Sequence, residues 1–329
     1  ALFDKLGTFF PPVDVRYIEN QTVVYKVLDD KLPLKQGDVI LAIDGEDVAR
    51  RREFYARLFA ASTPQSSMRN VHISLLRGQK DAAAKFTVRG ADGQVRTVEI
   101  QRTLASNDPV WSEVDKRSTP VVAVLPSGAA YVDLDRLKSG EVDKMFETIK
   151  NTPAAIFDMR GYPDFAAMMA IAPRLTEKKT PPVAMVLRPI LEATNLNALN
   201  NGRSFYYNFI IPLQPREGDV YPGKVVMLID ETAVSRAEYA AMLFDAARTD
   251  TAFIGTPTAG AIGDTTRMVL PGNLTVGFSG QVFQFADGRR VQRAGIKPTI
   301  RVAPTVRGLI EGKDEILDAA IKFLQENKK

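Results

Sequence analysis

Hydrophobic and polar positions alternate in two different regimes along this chain. Over residues 1–104 the apolar residues come in short runs broken by turn residues. VDVRYIE and QTVVYKVLD carry the β-branched and aromatic enrichment of strands. GDVILAIDGEDV reads as a strand entered through Gly37-Asp38 and left through Asp44-Gly45. REFYARLFAA sets Phe54, Leu58 and Phe59 at helical spacing, and NVHISLLRG reads as a further strand. AKFTVRGADGQ and VRTVEIQRT form two more, joined by a hairpin turn at Ala91-Asp92-Gly93. This predicts a small β-rich domain over 1–104. The polar, aperiodic ASNDPVWSEVDKRSTP that follows predicts a linker over 105–120.

From residue 121 the pattern becomes β-α. PAAIFDMRGY, PPVAMVLRPI and GKVVMLIDE are near-continuous apolar runs, as in strands buried on both faces of a parallel sheet. DFAAMMAIAPRL and SRAEYAAMLFDAA read as helices, and TAFIGTPTAG as another strand and turn. Residues 190–222 lack a period and predict a long loop, a lid or substrate wall. Hairpins are expected around Pro271-Gly272-Asn273 and Asp287-Gly288. The closing KDEILDAAIKFLQENK lines up Ile316, Ala320 and Leu324 as one apolar stripe. The fold class is α/β, with the core over 121–329.

Composition narrows the chemistry. A formal charge of +4 spread over 329 residues, with no basic run among aromatics, gives no support for nucleic-acid binding. Lys328 and Lys329 read as a solvated tail. No apolar stretch reaches the length of a membrane span. Zero cysteines exclude disulfides, thiolate metal sites and a cysteine nucleophile, and the single histidine, His72, excludes a multi-histidine metal site. No metal or other cofactor is expected, and no G-x-G-x-x-G opens a helix after a strand.

Ser235 is the chemical candidate. It follows the strand VVMLI and a short loop, and it opens an alanine-rich helix whose first turn offers free N–H groups and a partial positive charge to a developing oxyanion. The Arg236 amide is the first such donor. A second would come from Gly161, if its strand lies beside that of Ser235. The same residues also spell a capping box, Ser235-Arg-Ala-Glu238, in which the serine only satisfies the helix. Both roles stand open at this level.

The order of segments resembles the C-terminal-processing (tail-specific) serine peptidase family, which includes the tricorn-type proteases. LKQGDVILAIDGEDV resembles its PDZ segment and AAYVDLDRL its opening core strand. AAIFDMRGYP resembles its D-L-R-G-N-P-G-G turn, and VVMLIDETAVSRAEYAAMLFDA its nucleophile strand, loop and helix. FIGTPTAG and DGRRVQRAGIKPTIRV resemble the closing segments. The resemblance implies a ClpP/crotonase-like layered core behind a PDZ-like domain, and an acyl-enzyme formed on Ser235 during cleavage of exposed or unfolded polypeptide. It also implies a bacterial periplasmic or extracellular location. Two departures stand out. Asp164 and Phe165 replace the paired glycines, and Ala261 holds the position where the processing peptidases carry a lysine base. The tricorn branch uses a core histidine, whereas His72 falls in the PDZ-like module and reads as a packing residue. Asp264, Glu238, Asp133 and Lys297 remain as alternative bases, as does a group outside this chain, which opens abruptly at ALFDKLG. Two functions are therefore carried forward: a serine peptidase, and an inactive relative that binds peptides or scaffolds partners. Oligomeric state and substrate preference are not legible.

Overall fold

A computed structural model describes residues 6–114, 116–189, 206–213 and 219–327. The chain divides into two compact units, 1–119 with 302–322, and 120–301 with 323–329.

In the first unit the strands are β1 (Phe9–Phe10), β2 (Val13–Ile18), β3 (Gln21–Val27), β4 (Val39–Ile43), β5 (Glu46–Asp47), β6 (Ala83–Arg89), β7 (Val95–Gln101) and β8 (Leu104–Ala105). The main antiparallel sheet runs β2-β3-β4-β6-β7, with β5 paired to β4, and β1 pairs with β8. Glu19 and Asn20, with φ of 49° and 64°, make the two-residue turn that matches strand twist between β2 and β3. Two helices cover the sheet's core residues, α1 (Val48–Ala56) and α2 (Pro64–Leu75). α1 starts earlier than REFYARLFAA suggests because Asp47 caps it, and it buries Val48 and Tyr55 while Phe54 faces solvent. NVHISLLRG is not a strand but the end of α2. Thr63 caps that helix, Pro64 takes its first position, and Val71, His72 and Leu75 form the buried helical stripe. A run this short satisfies either period, and tertiary packing decides. From the 302–322 segment Leu309 joins Ile18, Val23 and Val39 in a small cluster of the same unit.

The second unit is built on a six-stranded sheet. In chain order its elements are β9 (Val122–Val124), β10 (Ala130–Asp133), α3 (Val142–Ile149), β11 (Ala154–Asp158), α4 (Phe165–Ile171), β12 (Pro182–Pro189), β13 (Tyr206–Pro212), β14 (Lys224–Ile229), α5 (Arg236–Ala247), β15 (Ala252–Gly255), β16 (Thr265–Leu270), β17 (Leu274–Ser279), β18 (Val282–Phe285) and β19 (Ile300–Arg301). The sheet order is β19-β15-β14-β11-β10-β9, parallel except for β9. β10 and β11 are buried at every position, as the continuous apolar runs require. β12 departs from expectation. It leaves the parallel sheet and pairs antiparallel with β13 and β18 in a separate three-stranded sheet. Of the predicted loop 190–222, residues 206–212 form β13, while 190–205 and 214–218 lie outside the described residues. The predicted hairpin at Pro271-Gly272-Asn273 is β16-β17. The closing helix α6 (Glu315–Glu326) buries Ile316, Ala320 and Leu324, while Lys328 and Lys329 lie outside the described residues.

Candidate active site

β11, β14 and β15 are adjacent and parallel, with Ile156 opposite Val226 and Leu228 opposite Ile254. The loops leaving their C-terminal ends, 159–165, 230–235 and 256–264, therefore emerge at one edge of the sheet, where α/β folds place ligands. Gly255 permits this convergence, since a Cβ there would stand 1.9 Å from the Ile229 carbonyl oxygen.

The 230–235 loop starts with an Asp turn, in which Asp230 Oδ1 accepts the Thr232 N–H at 2.8 Å. It ends at Ser235, half-buried, with φ 54° and ψ −106°. Helix caps sit in the extended region. This backbone lies outside both that region and the small left-handed well open to side chains. The capping box that the sequence spells is nonetheless present, with the Ser235 side chain set toward the Glu238 amide of α5 but short of a full cap bond. In its return half the Ser235 N–H donates to Glu238 Oε2 at 3.3 Å. A serine forced into a strained strand-to-helix turn is the geometry that exposes a nucleophilic Oγ over a helix N-terminus. Arg236 supplies the first amide of α5, one of those with no intrahelical acceptor.

Glu238 organises the neighbouring turn. It is fully buried, and Oε1 accepts from the Thr258 hydroxyl at 2.6 Å and the Gly260 N–H at 2.7 Å. Oε2 accepts from the Ala261 N–H at 2.9 Å in addition to that of Ser235. Burial pushes its carboxyl above the usual range, against the pull of these four donors. Two main-chain bonds complete the clamp, from the Ser235 N–H to the Ala261 carbonyl and from the Ala259 N–H to the Ala233 carbonyl, both at 3.0 Å. The position expected to hold a lysine thus lies against the Ser235 backbone, and its methyl side chain carries no proton acceptor.

The other sequence candidates are placed elsewhere or are already engaged. Asp133, fully buried, accepts from the Asp135 and Arg136 amides and from Arg136 Nε at 2.7 Å, so it stabilises its own turn. Asp264 accepts from Gln281 Nε2 at 3.0 Å, and Lys297 is exposed. His72 is tied up within the first unit. Its Nδ1 lies 2.7 Å from the Met68 carbonyl, which can only accept, so Nδ1 bears the proton and Nε2 accepts from the Thr22 hydroxyl at 3.1 Å. Burial and nearby Arg52 depress its pKa to about 4.

In the 159–165 turn the Gly161 N–H donates to the Met159 carbonyl at 2.9 Å, and the next N–H, of Tyr162, goes to Asp135 Oδ1 at 2.6 Å. A side chain at 161 would collide with that Asp135 carboxylate. Asp135 was not singled out by the sequence, and no local pattern marks it. Arg236 reaches back across the same turn. Its Nη1 donates to the Pro163 carbonyl at 3.2 Å, and its guanidinium stands 4.8 Å from the Tyr162 ring centre and 5.8 Å from that of Phe165. Aromatic and cationic groups therefore occupy the turn that would carry paired glycines. Among the described residues no group of acidic or histidine side chains could hold a metal, and no helix is long and apolar enough to cross a membrane.

The first unit has its own concavity of about 300 Å³. Edge strand β2 contributes Val13 and Val15, α2 contributes His72 and Ile73, and Trp111 closes it, packed edge-on against Phe10 at 5.6 Å.

The model of Peptidase family S41 matches residues 128–302, more than half of the chain. The chain belongs to peptidase family S41. Its enzyme class is accordingly that of serine-type peptidases, as the segment order implies. Mature CPAF complexed with lactacystin has a similar fold, with a TM-score of 0.71 and 16% identity, over 97% of this chain and 84% of that one. A second structure of mature CPAF gives a TM-score of 0.68 at 15% identity, again over 97% and 84%. No curated protein sequence matches the chain. The mixed α/β class is thus established, and the matched span contains all three loops of the site.

Proposed function

We propose that Ser235 is the nucleophile of this S41 peptidase and cleaves exposed or unfolded polypeptide through an acyl-enzyme. The observation that carries this reading is the Ser235 backbone itself. A residue that merely capped α5 would relax into extended geometry, whereas φ 54° is maintained by the Glu238 and Ala261 bonds to its N–H. The Arg236 amide would face the oxyanion. Gly161 serves as second donor only after giving up its bond to Met159, so substrate binding has to turn that peptide. The PDZ-like module would hold the polypeptide along β2, the end strand of its sheet among the described residues. Its Phe9 N–H is already given to Gly78, which weakens the case for a carboxylate-binding loop there. A periplasmic or extracellular bacterial setting fits this reading.

A second reading, an inactive relative that only binds peptide, is favoured by one observation: alanine at 261, in contact with the nucleophile's backbone. Casein digestion by the wild type and by Ser235→Ala decides between them. Hydrolysis lost in the variant supports the nucleophile, and equal traces in both support the binder. Ala261→Lys sharpens the outcome. An amine set beside Ser235 is expected to raise hydrolysis at least about tenfold, with a rise in rate as pH increases and the amine loses its proton. No gain, in a variant that still folds, would mean that the base enters from elsewhere.

A further inference from the structure

We infer that a second copy of this chain covers one face of the α/β unit, the face made by β13 and the β16-β17 hairpin. β13 is the edge of its sheet, so one row of its N–H and C=O groups has no strand partner among the described residues. Edge strands of monomeric proteins are blunted by charge, by internal proline or by shortness. β13 has none of these. It is seven residues, YYNFIIP, uncharged, with proline only at its last position and every residue except Ile211 exposed.

The hairpin carries a matching surface. Met268 faces Val276, Leu270 faces Leu274, and Phe278 lies on the same side opposite Thr266. Its other face is mostly polar, with Thr265, Arg267, Thr275 and Ser279. A two-stranded hairpin has little stability of its own, and β16-β17 joins no third strand among the described residues. Its apolar face needs something to cover it.

Side chains at the root of the hairpin link it to the sheet that carries β13. Gln281, at the root of the hairpin, bonds Asp264 on one side and Arg188 on the other, at 3.0 and 3.2 Å. Arg188 lies opposite Tyr207 in the β12-β13 ladder, and its guanidinium is 5.9 Å from the Phe209 ring centre. Tyr206, Tyr207, Phe209 and Ile210, with the five apolar residues on this face of the hairpin, are each between 37% and 60% exposed. At roughly 200 Å² per residue they present about 800 Å², what each partner brings to a standard stable interface. A single extended peptide would satisfy the edge of β13 and leave the hairpin bare. A copy of the same chain offers both features in return, as a two-fold contact demands. The small formal charge of +4 does not oppose self-association.

The test uses the full chain and does not depend on the peptidase reading. Sedimentation velocity at micromolar concentration is expected to show twice the chain mass. Met268→Lys with Val276→Lys, on the exposed hairpin, is expected to weaken the dimer at least about 100-fold with unchanged circular dichroism, because two lysines would be desolvated inside the contact. The chain has no cysteine, so Asn208→Cys supplies a single thiol. A short bismaleimide should link two such chains, and should fail with Glu147→Cys on the exposed face of α3. A monomer at every concentration overturns the inference. So does a dimer indifferent to the lysines and not linked through position 208. A monomer whose KM for polypeptide rises in the lysine variant would also overturn it, and would assign the surface to substrate.

Discussion

His72 and Glu238 are both taken out of water, one in each unit, and they serve different ends. His72 bonds to its own helix and to Thr22 in the sheet below it, all within the first unit, and stays neutral. Glu238 accepts from three main-chain donors and the Thr258 hydroxyl, on two loops that converge at the end of the parallel sheet. The lesson is that burial and a displaced pKa do not by themselves mark a site. What distinguishes Glu238 is that its partners are the backbone of Ser235, the proposed nucleophile, and the backbone and Thr258 hydroxyl of the turn facing it. On the proposed reading it positions Ser235 and is a poor proton acceptor for it, since each of its oxygens already accepts two hydrogen bonds.

The strongest way to test this contrast is Glu238→Gln. The amide keeps one oxygen for Thr258 and Gly260 but turns an NH₂ toward the N–H groups of Ser235 and Ala261. The part-buried Ala261 N–H then loses its acceptor and faces another donor, while the Ser235 N–H keeps the Ala261 carbonyl. The expected cost is ~1–3 kcal/mol of stability, the penalty for one unsatisfied group. Any hydrolysis should fall with it, mainly in kcat. Chemical denaturation and casein digestion measure the two effects. Stability unchanged within error would mean that the turn is held by other bonds.

Much of this architecture could be read from the sequence, and the exceptions have physical causes. β11 and β14 stood out because strands buried on both faces need continuous apolar runs, and no helix or hairpin imitates AAIFD followed by a glycine turn. α2 was misread because VHISLL is too short to separate period 2 from period 3.6. β12 was recognised as a strand but assigned to the wrong sheet, because PVAMVLRP reports burial and not the identity of its neighbour. Ser235 and Glu238 were both visible in one tetrapeptide. The acceptor role of Glu238 was hidden, because Thr258, Gly260 and Ala261 reach it only through the fold. Asp135, pressed against Gly161, gave no signal at all.

The His72 side of the comparison is tested by acid. Its folded pKa of about 4 lies below the ordinary 6.5, so the unfolded chain takes up the proton first. The stability tied to neutral His72 is therefore complete above pH 6.5 and is lost as pH falls toward 4. The full loss is about 3 kcal/mol at 1.36 kcal/mol per unit. His72→Gln should flatten this part of the stability profile, followed by urea titration at successive pH values. Glu238 acts in the opposite sense. Its raised folded pKa means that stability tied to its protonated form is present below 4.5 and is lost as pH rises through the folded value. A profile in which Glu238→Gln, and not His72→Gln, removed the acid slope would reverse the assignment of the two groups.

The smallest expected effect separates the Arg236 side chain from its amide. The guanidinium bonds Pro163 and lies over Tyr162 and Phe165, which are both about half exposed. Exposed cation–π contacts contribute ~0.5–1 kcal/mol, so Arg236→Met should lower stability by about that amount. The backbone N–H proposed for the oxyanion is untouched by this change. If the side chain only braces the 159–165 turn, kcat and KM should both shift by less than about fivefold, in line with the lost contact energy. A much larger fall in kcat would mean that bracing this turn sets the position of the second oxyanion donor. The departure from paired glycines at Asp164 and Phe165 would then be a working substitute for them, in which a cation held against two aromatic rings fixes the turn.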